Sequence, residues 1–145
     1  MSKYFGTDGF RGEANKVLKA DDAYKIGRYL GWYYSREHRG RIVIGKDTRR
    51  SSYMFEYALV AGITASGSDA FLLHVTTTPS VAYVVRTEEF DCGIMVSASH
   101  NPYYDNGIKI IDGNGHKIAS DIEEAMENYI DGIVEELPFA TGEAV

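Results

Sequence analysis

Apolar positions along this chain follow two spacings in turn, and the alternation predicts helices separated by strands. Steps of three and four residues, typical of amphipathic helices, occur over residues 21–34, 51–66, 78–85 and 120–133. Short continuous apolar runs, typical of buried strands, lie at residues 41–45, 70–75, 92–96 and 107–111. The expected helix starts are Ser51 or Ser52, Thr78 followed by proline at the first helical position, and a capping box of Ser120 with Glu123.

The order of these elements predicts a three-layer α/β/α domain with a mixed, mostly parallel four-stranded sheet. Helices alternate with strands through residue 97, and this order favours parallel pairing. The link 98–106 is too short for a crossover helix, so the last two strands are expected to pair antiparallel or to splay apart. We expect one domain over residues 1–133 and an acidic, linker-like segment over residues 134–145.

Composition narrows the possible classes of function. With 145 residues, 44% hydrophobic and 25% charged, the chain has the composition of an ordinary globular domain. A net charge of −6 argues against a general nucleic-acid binder, which needs a basic face. No apolar run approaches the roughly 20 residues of a membrane span, and the first residues lack an apolar signal core. Cys92 is the single cysteine, which suits a reducing cytosol, so we expect a cytoplasmic protein without nucleic-acid or membrane partners.

The most informative polar segment is 97–102 (Ser-Ala-Ser-His-Asn-Pro), directly after the third strand. Sites in open α/β sheets form beyond the carboxyl ends of strands, and a serine hydroxyl held there can serve as nucleophile or phosphate acceptor. The strand should end near Ser97, whose hydroxyl then satisfies a backbone group, while Ser99 lies on the loop crest. From residue types alone, an ordinary turn is the favoured alternative.

Two further segments concentrate glycine or positive charge. In residues 6–12, glycines flank Arg11, so that the backbone can approach an anion; a turn with a surface arginine is the alternative. Residues 45–52 carry Lys46, Arg49 and Arg50 before a helix start, where anions bind. An ion pair between Asp47 and Arg49 that braces this loop is the favoured alternative.

Lys109 is the best candidate partner for the serine loop. Alternation places it on the opposite face of its strand from Ile108 and Ile110, where it can balance phosphate charge or act as a base. A solvated lysine at a strand edge is an equally good interpretation. A hydrolase triad fits poorly because the chain has no Gly-x-Ser-x-Gly elbow, and a zinc site fits poorly because its four histidines are scattered.

Together these segments resemble the α-D-phosphohexomutase superfamily, over about residues 3–132. Residues 97–102 match its active-site serine signature, in which the second serine, here Ser99, is phosphorylated. Residues 107–109 (Gly-Ile-Lys) look like the stretch whose lysine is the candidate general base. Residues 4–12 (Tyr-Phe-Gly-Thr-Asp-Gly-Phe-Arg-Gly) are similar to the opening of the bacterial phosphoglucosamine mutases.

The resemblance implies a multidomain bacterial isomerase of which this chain is a fragment, the first domain, with the missing domains of the same polypeptide as partners. In that family a phosphoserine and a sugar 1,6-bisphosphate, which is also the activator, interconvert glucosamine 6-phosphate and glucosamine 1-phosphate. The product supplies UDP-N-acetylglucosamine and cell-wall synthesis. Mg²⁺ is the implied cofactor, and here only Ser99, through its phosphate, would be a ligand. The fragment alone is expected to be inactive.

The predicted site has two groups of residues. The catalytic group is Ser99, Lys109, His100, Arg11 and Asn101, and the phosphate or charge support is Gly9, Arg49 and Lys46. A phosphomannomutase or phosphoglucomutase domain is the alternative within enzymes, since it would share this domain. A non-catalytic phosphosugar-binding module is the alternative from another class, and the intact set of Ser99, Lys109 and Arg11 argues against it.

Overall fold

Six strands and four helices make up the part of the chain that the structure, a computed structural model, describes: residues 3–133 and residue 137. The strands are β1 (Phe5–Gly6), β2 (Gly9–Glu13), β3 (Arg41–Lys46), β4 (Asp69–Val75), β5 (Cys92–Val96) and β6 (Asp105–Asp112). The helices are α1 (Ala20–Tyr34), α2 (Arg50–Ala65), α3 (Thr78–Thr87) and α4 (Ser120–Ile130).

All six strands form one sheet in the order β1-β2-β6-β5-β3-β4. β3 pairs parallel with β4 and β5, as expected where helices connect the strands, while β5–β6, β6–β2 and β2–β1 pair antiparallel. The antiparallel pairing across the link 98–106 is therefore confirmed. The predicted strand count of four and the mostly parallel sheet are wrong, because the β1–β2 hairpin adds two antiparallel strands at one edge.

The β1–β2 hairpin was not predicted because its sequence contains no apolar run. β1 has only two residues, and β2 (Gly-Phe-Arg-Gly-Glu) contains two glycines and two charged residues. Its extended form follows from pairing with β6, in which Phe10 faces Ile108 and Arg11 faces Gly107. Such long-range pairing leaves no local pattern in the sequence.

Alternate residues of the central strands bury themselves on opposite faces of the sheet, which confirms the three layers. Ile42 and Ile44 belong to the core shared with α1, α2 and α4. Val43, between them, packs with Val81 and Val85 of α3 on the other face. Continuous apolar runs such as β3 are expected for strands covered on both sides.

Two helix starts differ from the predicted ones. α2 begins at Arg50, and the Ser52 hydroxyl donates to the Asp47 carboxylate at 2.7 Å instead of capping the helix. α3 has Thr77 as its N-cap, one residue earlier than predicted, with Pro79 at the second helical position. The Thr77 hydroxyl accepts the backbone N–H of Ser80 at 3.3 Å.

The fourth helix has neither its predicted cap nor its predicted end. Its N-cap is Ala119, and the Glu123 carboxylate, 1% exposed, accepts from the Lys117 ammonium at 2.9 Å, so no capping box forms. The helix ends at Ile130, and Ile133, expected on its apolar face, lies beyond it and is 70% exposed.

A buried carboxylate on α4 ties down the N-terminal segment. Glu127, 3% exposed, accepts the backbone N–H groups of Lys3, Tyr4 and Phe5 through one oxygen, Oε2, at 2.9, 2.6 and 2.9 Å. Burial alone would raise the pKa of Glu127, but these three donors bring it below the usual value. Since Phe5 pairs with Phe10, this contact also anchors the hairpin that carries Arg11.

The predicted linker 134–145 lies outside the described residues except for Leu137. That side chain is 5% exposed and belongs to the main core. The boundary at residue 133 remains a prediction. Among residues 3–133 and 137, no helix combines the length and the apolar character that crossing a membrane requires.

Candidate active site

The serine loop leaves the sheet at the carboxyl end of β5, where its two serines take different environments. The backbone N–H of Ser97 still donates to the carbonyl of Gly107 at 2.9 Å, so the ladder extends to this residue. The Ser97 hydroxyl accepts the N–H of Ser99 at 3.0 Å, which confirms that it satisfies a backbone group. Ser99 is exposed and has φ of 50°, in the left-handed region that non-glycine residues rarely adopt.

Arg11 brings a positive charge to the Ser99 hydroxyl. Its Nη2 donates to Ser99 Oγ at 3.3 Å. The path of the arginine crosses Gly107, where a Cβ atom would lie 2.8 Å from Arg11 Cγ and 2.7 Å from the Ser97 carbonyl oxygen. Gly107 therefore leaves room for the arginine to reach the serine. The structure brings together the two residues that the sequence placed 88 positions apart.

The geometry of the sheet requires a glycine at position 9. Its φ is +89°, and a Cβ atom there would lie 2.3 Å from the carbonyl oxygen of Ile108. Glycine is thus required for the turn of the β1–β2 hairpin and for the close approach of β2 to β6. Phosphate support by this residue stays a prediction, and the structure adds its part in the strand that carries Arg11.

Arg49 binds the backbone of the serine loop. Its Nη2 donates to the carbonyl oxygens of Ser99 at 3.1 Å and of Asn101 at 2.7 Å, and its Nη1 is paired with the Asp47 carboxylate. This confirms the ion pair that braces the loop. Burial would raise the pKa of Asp47, but hydrogen bonds from the Ser52 hydroxyl, the Arg49 backbone and the Ser97 hydroxyl, with the charge of Arg49, lower it overall.

Lys46 does not reach the serine loop. Its ammonium group pairs with Glu56 Oε1 at 2.8 Å, with both side chains almost fully buried, and lies 3.8 Å from the centre of the Tyr53 ring. The charge of this lysine is therefore balanced by a carboxylate on α2, and phosphate support by Lys46 stays a prediction that this pairing does not favour.

Of the remaining predicted residues, His100 and Asn101 lie in the loop itself and Lys109 lies on β6. Lys109 is half-buried on β6 opposite Met95, and the pairing of Arg11 with Gly107 puts Lys109 and Arg11 on the same face of the sheet. His100 is exposed on the loop crest. Asn101 donates its backbone N–H to the Ala98 carbonyl at 2.9 Å and its Nδ2 to the Asp105 carboxylate at 3.2 Å, so it closes the turn.

Sequence reasoning missed Asn106, which joins the loop region to α2. Its side chain is fully buried, its Nδ2 donates to the hydroxyls of Ser51 at 2.9 Å and Ser52 at 3.0 Å, and its Oδ1 accepts the N–H of Gly107 at 2.8 Å. A polar residue at the start of an apolar run was the available signal. Buried amides of this kind need several partners, so this one fixes the relative positions of α2 and β6.

The residues of this site do not fit a resident Mg²⁺ ion. Within residues 3–133 and 137, His, Cys, Asp and Glu side chains form no group of three or more that could hold a metal. Arg11 and Arg49 both contact Ser99. The carboxylate of Asp47 pairs with Arg49 and also accepts a hydrogen bond from the Ser52 hydroxyl. A hard cation needs a cluster of oxygen ligands, preferably carboxylates, and this arrangement offers guanidinium groups instead.

We expect the unphosphorylated chain to bind Mg²⁺ only weakly. Neutral hydroxyls next to two guanidinium groups cannot replace the hydration shell that Mg²⁺ gives up reluctantly. Isothermal titration calorimetry of the chelator-treated protein should show no saturable, stoichiometric heat, and the Ser99→Ala variant should behave identically. Tight one-to-one binding that disappears in Ser99→Ala would contradict this expectation.

An α/β/α domain that presents an exposed serine to an arginine at the end of a parallel strand is suited to handling an anionic group. The sequence profile of the family "Phosphoglucomutase/phosphomannomutase, alpha/beta/alpha domain I" matches residues 2–136. The chain belongs to this family.

Individual relatives agree with the family assignment. The chain is 67% identical to a phosphoglucosamine mutase of Lachnoclostridium phytofermentans and 66% identical to one of Lachnospira eligens, in each case over its whole length. It covers 32% and 33% of those proteins and so spans about a third of the length of the curated relatives that it matches. A solved phosphoglucomutase/phosphomannomutase family protein from Burkholderia thailandensis superposes with a TM-score of 0.77 at 27% identity, covering 92% of this chain and 31% of that one.

Proposed function

We propose that this chain is the serine-bearing first domain of a bacterial, cytoplasmic phosphoglucosamine mutase, with Ser99 as the phosphoryl carrier. The observation that carries the proposal is the exposed Ser99 hydroxyl 3.3 Å from the Arg11 guanidinium, on a loop whose backbone Arg49 holds. The names of the relatives at 67% and 66% identity favour glucosamine phosphates as the substrate class. The substrate sugar would then be bound with the help of residues outside these 145.

The proposed reaction moves one phosphoryl group in each of two steps. In the first, the 1-hydroxyl oxygen of glucosamine 6-phosphate attacks the phosphorus of phosphoserine 99, and the bond from phosphorus to Oγ breaks. The proton of that hydroxyl passes through Lys109, the candidate general base, and ends on Ser99 Oγ. In the second, Ser99 Oγ attacks the 6-phosphate of the bisphosphate, the bond to O6 breaks, and the proton moves to O6, releasing glucosamine 1-phosphate.

Positive charge and orientation are the contributions of this domain. Phosphoryl transfer depends on in-line positioning and on neutralising charge on the phosphoryl oxygens. Arg11 supplies that charge at the serine oxygen, and His100 and Asn101 shape the loop around it. Free sugar 1,6-bisphosphate acts as the activator because it can restore phosphate to an unphosphorylated Ser99. The glucosamine 1-phosphate formed would enter UDP-N-acetylglucosamine and peptidoglycan synthesis.

The test is to find which serine accepts phosphate. The chain is incubated with glucosamine 1,6-bisphosphate and digested, and its peptides are mapped by mass spectrometry. We expect phosphate on Ser99 and none on Ser97, because the hydroxyl of Ser97 is held by the backbone N–H of Ser99 and by Asp47. Ser99→Ala should abolish the modified peptide.

Ser97→Ala is the matched control, since it removes a hydroxyl two residues away and keeps Ser99. It should still accept phosphate. Phosphate found only on Ser97 would overturn the assignment of Ser99 as the carrier and the match to the family's serine motif on which it rests. Equal labelling by glucose and mannose bisphosphates would leave Ser99 as carrier and would mean that these 145 residues do not themselves select the amino sugar.

A further inference from the structure

The backbone of Ser99 has a left-handed conformation that contacts from other residues must stabilise. For residues with a Cβ atom this region is unfavourable, and it persists only where surrounding contacts enforce it. Ser99 has φ of 50°, no glycine occupies the loop from residue 97 to 102, and the Ser99 side chain is exposed. Packing of the side chain therefore does not account for this conformation.

Arg49 makes the contacts that can provide this stabilisation. One nitrogen, Nη2, donates to the carbonyl oxygens of Ser99 and Asn101, at 3.1 and 2.7 Å, on either side of His100. The other terminal nitrogen, Nη1, is occupied by Asp47, whose Oδ1 also accepts the Arg49 backbone N–H at 3.0 Å. The Arg49 side chain is 12% exposed, so the guanidinium is held from both sides.

The two arginines at the loop thus have different targets. Arg11 contacts the hydroxyl oxygen of Ser99, whereas Arg49 contacts main-chain carbonyl oxygens. A guanidinium whose terminal nitrogens already bind two carbonyls and a carboxylate is poorly placed to become a phosphate ligand. Its planar set of donors is suited to fixing the geometry of a turn.

We propose that Arg49 is a positioning residue that locks Ser99 in the left-handed conformation and thereby keeps its hydroxyl directed at Arg11. This role replaces the phosphate support predicted for Arg49. It rests on the proposed function, because the direction of the hydroxyl matters for a serine that carries phosphate. We call the contacts of Arg49 with the carbonyl oxygens of Ser99 and Asn101 the clamp. Without it, Ser99 relaxes towards negative φ, and Oγ loses its alignment with Arg11. Lysine cannot replace the clamp, because one ammonium on a flexible stem cannot span two carbonyls and a carboxylate.

Solution NMR of the isotope-labelled chain tests the clamp without any phosphoryl transfer. A positive φ gives Ser99 a strong intraresidue amide-to-Hα NOE. In Arg49→Lys this NOE should weaken, and the amide signals of residues 98–101 should shift, while those of β1 and β4 stay in place. Arg50→Ala is the matched control, since it removes an exposed neighbouring charge, and it should leave the Ser99 signals unchanged.

Phosphate acceptance gives the second readout. In the bisphosphate assay above, we expect phosphoserine formation to fall about tenfold or more in Arg49→Lys and to stay at the wild-type rate in Arg50→Ala. An unchanged Ser99 NOE in Arg49→Lys overturns the proposal, as does full rescue of phosphorylation by this lysine, because a simple charge role would be rescued. A lost NOE in a protein that never accepts phosphate supports the clamp and contradicts only the proposed function.

A folding failure is covered by a second variant. If Arg49→Lys does not give a folded spectrum, Asp47→Asn removes the charged partner of Arg49 and keeps the shape of its side chain. It should weaken the Ser99 NOE in the same direction. A wild-type NOE in Asp47→Asn would then contradict the proposed clamp.

Discussion

The 145-residue chain is expected to unfold in one cooperative transition and yet to convert no glucosamine 6-phosphate on its own. Its folding follows from one sheet covered on both faces, with a main core that draws on α1, α2 and α4 and a second core under α3. Domains of this size with a continuous core usually unfold in a two-state manner. Circular dichroism during heating should therefore show a single sigmoidal transition.

The lack of turnover follows from how little of a transfer site the described residues supply. They provide the serine and an arginine at its hydroxyl, but no cluster of carboxylates for a metal ion and only about a third of the length of the relatives. Enzymes commonly accelerate reactions by a factor of about 10⁶ or more, and most of this factor disappears when the substrate is not positioned. A coupled assay for glucosamine 1-phosphate should remain at background.

Ser99→Ala separates the possible results of that assay. Turnover that survives this substitution comes from a contaminating enzyme. Turnover that the substitution abolishes would contradict the prediction, because it would mean that these 145 residues are sufficient for catalysis. Slow phosphate acceptance by Ser99 without turnover is the expected combination, because mass spectrometry detects a single transfer to Ser99, whereas turnover needs repeated transfers with a reoriented bisphosphate between them.

The parts of the fold that the sequence predicted correctly are those with a local signal. β3 and β5 are continuous apolar runs, and the helices have periodic apolar faces, so both types of element could be assigned. The β1–β2 hairpin depends on pairing with β6, which is distant in sequence, and the helix starts depend on side-chain contacts that compete with capping. Ser52 and Glu123 have residue types typical of caps, but Asp47 and Lys117 bind them instead.

The candidate site shows the same division between local and distant signals. The serine motif identified Ser99, and the glycines around Arg11 drew attention to that arginine. Lys46, Arg49 and Arg50 looked alike as a cationic segment, but they have three different environments: a buried pair with Glu56, a clamp on the serine loop, and exposure to solvent. Which cation faces which anion depends on the tertiary structure and cannot be obtained from spacing.

Glu127→Gln is expected to lower the free energy of unfolding by about 2 kcal/mol at neutral pH, in line with the loss of charge-assisted hydrogen bonds from a buried acceptor. One carboxylate oxygen accepts three backbone N–H groups, and glutamine keeps the shape but not the charge. Urea unfolding followed by circular dichroism measures the difference. Glu124→Gln, an exposed neighbour on the same helix, is the control and should change little.

The pH dependence provides a second test of the same contact. The folded-state pKa of Glu127 lies below its ordinary value, so the stabilisation is present above the unfolded-state pKa and is lost as the pH falls through the folded-state pKa. Glutamine does not titrate, and the difference between wild type and Glu127→Gln should therefore shrink on acidification. Asp131, which binds Lys3 and Tyr4, titrates in both proteins, so its contribution to the difference should largely cancel.

A loosened N-terminal segment should also affect the serine. β1 is held by Glu127 and pairs with β2, and β2 carries Arg11 to the Ser99 hydroxyl. Relative to wild type, amide exchange with solvent is therefore expected to accelerate more in β1 and β2 of Glu127→Gln than in β3 and β5, which lie in the interior of the sheet. Equal stability of the two proteins at neutral pH, or an acceleration spread evenly over all strands, would show that Glu127 does not anchor the hairpin.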